Sequence, residues 1–268
     1  MTDQAMGETG TTSAIDVAAD LLFAAAARRE RVDPITDGWP ELTAADAYLI
    51  QDALIARHLA AGAELVGAKL GLTSRAKQVE MSVHEPIGGW LTDRMALETD
   101  EPFEVASLGQ PRCEPEIAFR LSRALKGAGV TAADVLAATD AVMPAIEVLD
   151  SRYRDYRFRL PDVVADDASA CRYVVGAPVD PAGIDLALVG VVFERGATLL
   201  STAAGAAVLG DPAEAVAWWV RHIAADDRGL EAGMVVLSGA LTGAVPIAAG
   251  DRFRATIDRL GTVDLTGV

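Results

Sequence analysis

Apolar residues recur every three to four positions between Ser13 and Arg31, where Ile15, Val17, Ala18, Leu21, Leu22 and Ala25 fall on one side of a helix. Asp33-Pro34 and Asp37-Gly38-Trp39-Pro40 interrupt the pattern. It resumes from about Ala44 to Ala61, with Tyr48, Ile50, Leu54, Ile55 and Leu59 as the stripe, a capping box from Thr43 and Asp46, and a stop at Gly62. From Glu64 onward the pattern changes to short apolar runs bounded by turn residues. These predict strands at Glu64–Leu70, Glu104–Ala106, Arg112–Leu121, Ala141–Leu149, Arg172–Val175, Ala187–Glu194, Ala197–Ser201, Met234–Ser238, Arg252–Ile257 and Val263–Leu265, with a hairpin at Arg195-Gly196. Pro144 inside its strand predicts a bulge or an edge. Short helices are expected at Arg75–Met81, Thr131–Ala138 and Glu214–Ala225, the last with Asp211 as N-cap and Pro212 in its first turn. Strands and helices do not alternate regularly, which predicts an α+β fold and not a doubly wound sheet. The chain reads as a disordered lead-in over 1–12, a helical part over 13–63 and a main part over 64–268.

Composition adds limits. With 268 residues, 51% hydrophobic and 23% charged, the chain can bury a full core. The formal charge of -16 opposes binding to nucleic acid or anionic membranes, although a local cluster of Lys and Arg can still attract an anionic substrate. Two cysteines, Cys113 and Cys171, are too few for a disulfide framework. No basic segment precedes the first apolar run, and no run is long enough to span a bilayer, so a cytoplasmic protein is expected.

The densest chemistry lies in Gln110–Phe119. Glu114 and Glu116 share one face of a strand, with Pro115 between them suggesting an edge or a strand start. Adjacent carboxylates repel unless a cation or a shared proton lies between them. Glu147 sits in the apolar run Val142–Leu149 and should be drawn inward, where it needs a proton, a base or a metal. A Glu-x-Glu pair alone also describes a solvated strand face. Three inward glutamates make a hard oxygen site, better suited to Mg²⁺ or Mn²⁺ than to zinc. Lys69 ends an apolar strand and must either pair or snorkel to the surface. Arg75 and Lys77 face solvent or a substrate carboxylate. The turn Leu237–Gly243 could hold an oxyanion on its amides, or be only a turn. His58, His84 and His222 have no nucleophile motif near them, and there is neither a GxGxxG nor a Walker loop.

Five segments together resemble the fumarylacetoacetase-like hydratase/decarboxylase family of meta-cleavage pathways: 67–77 (GAKLGLTSRAK), 110–116 (QPRCEPE), 143–153 (MPAIEVLDSRY), 164–169 (VADDAS) and 237–242 (LSGALT). The resemblance implies a fumarylacetoacetase C-terminal-like mixed β-sandwich or roll following the helical part. It implies Mg²⁺ or Mn²⁺ held by Glu114, Glu116 and Glu147, an active-site lysine at Lys69, and a substrate pocket lined by Leu70, Ile87, Ser169, Ser238 and Thr242. Within the family the chain is most similar to the 4-oxalocrotonate (2-oxo-3-hexenedioate) decarboxylases. Ile87 stands where the related hydratases usually carry aspartate, while Gly88 replaces a usual aromatic and Asp167 a usual asparagine, two departures that bear on substrate fit. The implied activity is metal-dependent decarboxylation of 2-oxohex-3-enedioate, a small anionic 2-oxo diacid, to 2-hydroxypenta-2,4-dienoate in aromatic catabolism. Alternatives are a 2-hydroxypenta-2,4-dienoate hydratase and a non-catalytic partner subunit of one, the latter disfavoured by the intact triad. The resemblance also implies a homo-oligomer and a complex with the pathway hydratase, with helices in 13–61 as a contact.

Overall fold

A computed structural model describes residues 3–80, 83–99 and 101–268, and side chains from residue 13 onward except those of Ala76 and Glu80. Of the lead-in expected to be disordered over 1–12, residues 1–2 lie outside the described residues and the backbone of 3–12 is helical. Three helices come first: α1 (Asp3–Arg28), α2 (Ile35–Gly38) and α3 (Ala44–Ala60). The capping box that opens α3 is formed, with Asp46 N donating to Thr43 Oγ1 at 3.1 Å and Thr43 N to the Asp46 carboxylate at 3.2 Å. The chain then runs through β1 (Leu65–Gly71), α4 (Arg75–Glu80), β2 (Ile87–Thr92), β3 (Arg112–Leu121), β4 (Leu125–Lys126), α5 (Ala132–Ala138) and β5 (Thr139–Leu149). After these come α6 (Leu160–Ala165), β6 (Ala170–Val175), β7 (Gly190–Arg195), β8 (Thr198–Ala204), α7 (Pro212–Ile223), β9 (Gly229–Leu230), β10 (Val235–Leu237), β11 (Val245–Pro246), β12 (Arg252–Ile257) and β13 (Gly261–Thr266). This is the α+β architecture expected. The strand expected at Glu104–Ala106 is instead a turn of 3₁₀ helix at Val105–Ser107.

The main sheet has the order β2-β1-β10-β3-β5-β6, with β11 also pairing β3. A second sheet has the order β13-β12-β7-β8. Side-chain alternation gives the main sheet two different faces. Cys113, Ile146 and Val148 pack on Phe193, Phe253 and Val263 of the second sheet, while Ile117, Phe119 and Val142 on the same face join Val216, Trp219 and Val220 of α7 in the largest core cluster. The opposite face carries the charged residues. A further cluster ties α1 and α3 to α6, Ile87 and Ala168, so the N-terminal helices back the segment that covers the charged face. None of the described helices is long and apolar enough to cross a membrane.

Pro115 is neither at an edge nor at a strand start. It is the fourth residue of β3, which is central in the sheet. Its carbonyl accepts from Leu241 N at 2.9 Å, in the gap between β10 and β11 where the glycine-rich turn replaces a strand and no ladder donor is required. Pro144 follows the same logic: its carbonyl accepts from Gly176 N at 2.8 Å, one residue beyond the last pair of β5 with β6.

Candidate active site

Register builds the acidic cluster. β3 and β5 are antiparallel, with Glu114 directly opposite Glu147 and Glu116 opposite Ala145. All three glutamates therefore share one face, and one oxygen from each lies within 4.8 Å of the others. Glu116 and Glu147 are fully buried and Glu114 nearly so. The glycine-rich turn reaches this cluster through Gly239 N, which donates to Glu116 Oε2 at 2.7 Å. Gly239 needs to be glycine: its φ is +109°, and a Cβ would lie 2.1 Å from Thr73 Oγ1.

Lys69 is on the same face, in a row that runs Lys69, Leu237, Ala118, Met143 across β1, β10, β3 and β5. Three strand spacings amount to about 14 Å, more than a lysine spans. The curl of the sheet closes that distance, so that Lys69 Nζ lies 3.1 Å from Glu147 Oε1. Ala168 O accepts a hydrogen bond from the same nitrogen at 3.0 Å. At 2% exposure Lys69 does not snorkel to solvent. Burial opposes its charge, but Glu147, Glu114 and Glu116 outweigh burial and hold its pKa above the usual lysine range. Lys77, on α4, lies 3.4 Å from Glu114 Oε2.

The cluster is deficient in donors. Among the described residues none donates a hydrogen bond to the buried Glu116 Oε1 or to either Glu147 oxygen, the Lys69 contact being an ion pair without hydrogen-bond alignment. Burial, with Glu147 and Glu114 beside it, pushes the Glu116 carboxyl well above the usual carboxylate range; burial also raises Glu147, against the pull of Lys69. Three convergent, under-satisfied hard oxygens fit a divalent cation of the Mg²⁺ or Mn²⁺ kind.

A cavity of about 410 Å³ opens over this face. Its lining joins Lys69, Lys77, Arg112 and Glu114 to Leu72, Ile87, Tyr156, Phe158, Val163 and Ser169. Of the residues expected to line a substrate pocket, Ile87 and Ser169 do so. Leu70 does not: alternation along β1 turns it with Ala68 into the core on the other face. Ser238 and Thr242 also lie outside the lining, where the turn contributes Ala244 instead; Ser238 Oγ and Thr242 Oγ1 are buried without partners. Arg112, Tyr156 and Phe158 are additions. Arg112 shares the face of Glu114 by its i−2 spacing, and its guanidinium lies 4.1 Å from the Tyr156 ring centroid. Over 152–159 arginines alternate with aromatics in the sequence, a pattern that does not itself say which of them face the cavity.

Neither departure from the family pattern faces this cavity. A Cβ on Gly88 would lie 2.3 Å from Trp219 Cε3, so the indole from α7 occupies the space beside Gly88, on the core side of β2. Asp167 faces the β2 backbone, with Oδ1 accepting from Trp90 N at 2.8 Å and Oδ2 unpartnered.

A family model, that of the fumarylacetoacetate (FAA) hydrolase C-terminal domain, matches residues 63–266. The chain belongs to the FAA hydrolase family. Among its relatives, a 2-hydroxyhexa-2,4-dienoate hydratase from Comamonas testosteroni is 40% identical over 254 residues, 94% of this chain and 96% of that one. A 4-oxalocrotonate decarboxylase from Pseudomonas sp. (strain CF600) is 39% identical over 233 residues, 87% of this chain and 88% of that one. Among solved structures, the 4-oxalocrotonate decarboxylase from Pseudomonas putida G7, complexed with magnesium and adipate, matches with a TM-score of 0.92 and 35% identity, covering 95% of this chain and 97% of that one. Relatives within the FAA hydrolase family thus include both enzymes that remove CO₂ and enzymes that add water.

Proposed function

We propose that this protein is a divalent-metal-dependent lyase that decarboxylates 2-oxohex-3-enedioate to 2-hydroxypenta-2,4-dienoate. The observation that carries the choice is the cavity lining: among the described residues its one acid is Glu114, a member of the cluster assigned to the metal. Adding water across a double bond needs a base or acid placed for that water. Ile87, Leu72, Val163 and Phe158 fill that part of the wall with hydrocarbon. Loss of CO₂ needs no such group, and an apolar wall disfavours a charged carboxylate relative to neutral CO₂.

Glu114, Glu116 and Glu147 would hold Mg²⁺ or Mn²⁺, which when bound supplies Lewis-acid stabilisation of developing negative charge. Lys69 donates one N–H to Ala168 O and is ion-paired with Glu147. An N–H left free by these contacts serves the C2 oxygen, where charge develops as electrons from the breaking C–C bond move through the alkene. Arg112 and Lys77 give the cavity the positive potential that a dianionic substrate requires, against the charge of the whole chain.

The hydratase relatives are as similar in sequence as the decarboxylase ones, so hydration of 2-hydroxypenta-2,4-dienoate is the second reading. Purified protein with Mg²⁺ or Mn²⁺ is expected to release CO₂ from 2-oxohex-3-enedioate and to leave 2-hydroxypenta-2,4-dienoate unhydrated. Hydration without CO₂ release would replace the first reading with the second. Association into a homo-oligomer, or with a pathway hydratase, through exposed Val17, Leu21, Leu49 and Leu59 of α1 and α3 is part of the same proposal, tested by sedimentation equilibrium.

A further inference from the structure

The turn that touches Lys69 is unusual in its backbone. Asp167, Ala168 and Ser169 are consecutive non-glycine residues in the left-handed region, with φ of 50°, 50° and 59°. Such a run relaxes unless its surroundings hold it. Here the holding contacts come from behind, away from the cavity. Arg152, itself buried, reaches Asp166 with a forked set of donors: Nε to the carboxylate and one terminal nitrogen to the carbonyl. Its other terminal nitrogen donates to Ala170 O at 3.0 Å and Asp150 O at 3.1 Å. The Asp166 carboxylate also accepts from Arg152 N at 3.1 Å, Ser151 Oγ at 3.3 Å and Ser169 Oγ at 3.4 Å. The two residues therefore grip the turn on both sides of its left-handed run. On the β2 side the fit is close enough that a Cβ on Gly89 would lie 2.7 Å from Asp167 O.

We propose that Arg152 and Asp166 are positioning residues: they keep residues 167–169 left-handed, so that the Ala168 carbonyl aims Lys69 Nζ into the cavity. A guanidinium, with five donors in a fixed plane, can hold a carboxylate and three carbonyls at once, and an ammonium, with three donors, cannot. The effect on turnover rests on the role assigned to Lys69 above; the effect on the lysine itself does not.

The test compares wild type, R152K, the double variant R152K/A168G, and G89A, with folding followed by circular dichroism. Two quantities are read: kcat and KM on whichever of the two substrates the wild type accepts, and labelling of Lys69 by an amine reagent, located by mass spectrometry. R152K is expected to lower kcat by about 10- to 100-fold, the scale of a misplaced functional group, with KM unchanged within about twofold, and to expose Lys69 to labelling. A168G in that background is expected to recover several-fold in kcat and to restore protection, because glycine takes positive φ without strain. R152K with wild-type kcat and a protected Lys69, or a double variant with no recovery, overturns the proposal. If R152K does not fold, G89A decides, since it leaves Arg152 in place and displaces Asp167 from the β2 side. It should show the same kcat loss and labelling, and wild-type values in it overturn the proposal. A wild type inactive on both substrates would refute the functional reading, while labelling alone would still decide the role of the turn.

Discussion

Glu116 is the residue on which the acidic cluster closes: buried, opposite no cation, and held by one backbone amide. Glu116→Gln removes a ligand and a repelling charge together. The variant is expected to lower turnover by on the order of 100-fold or more, while its metal-free form unfolds at a temperature no lower than wild type by calorimetry. Asp167 offers a test in pH. Burial pushes its carboxyl from the ordinary 3.8 up to about 7, against the hydrogen bond from Trp90 N. The folded state thus binds the proton more tightly than the unfolded chain, and stability falls as pH rises between those two values. Asp167→Asn, the residue the family resemblance leads one to expect, should raise the thermal midpoint above pH 7 by the equivalent of at most roughly 4 kcal/mol, with the gain shrinking as pH falls toward 4. A gain independent of pH would assign the effect to packing.

Among the elements, β2 and α7 account for a substitution that sequence alone could only flag. The bulk missing at Gly88 is supplied by Trp219, whose ring packs edge-on to Trp90 at a centroid distance of 5.4 Å. Gly88→Ala should cost about 1 to 3 kcal/mol, as overpacking does, read as a lower denaturation midpoint, and should leave kcat within about twofold because the position faces the core. β3 gives the converse lesson. Its proline suggests an edge or a strand start, yet Pro115 lies inside a central strand, because the neighbour beside it is a turn that supplies a donor and asks for none. A rule about ladder donors depends on the neighbouring strand, and local sequence does not name that neighbour.

Over the whole molecule, the cluster concentrates negative charge in a protein whose formal charge is already -16. Mg²⁺ or Mn²⁺ at about 100 times its dissociation constant should stabilise the native state by about 2.7 kcal/mol, measured as a rise in thermal midpoint that EDTA reverses and Glu116→Gln abolishes. The sequence by itself determined the α+β class, the capping box of α3, and the common face of Glu114 and Glu116. These follow from period-two alternation, helical spacing and capping chemistry, all of which act within a few residues. The approach of Glu147 across the β3–β5 register, the reach of Lys69 over three strands, the turning of Leu70 into the core and the place of Arg112 and Tyr156 in the cavity were decided by the tertiary structure. Each depends on which strands become neighbours and how strongly the sheet curls, and those are set by long-range packing of the core.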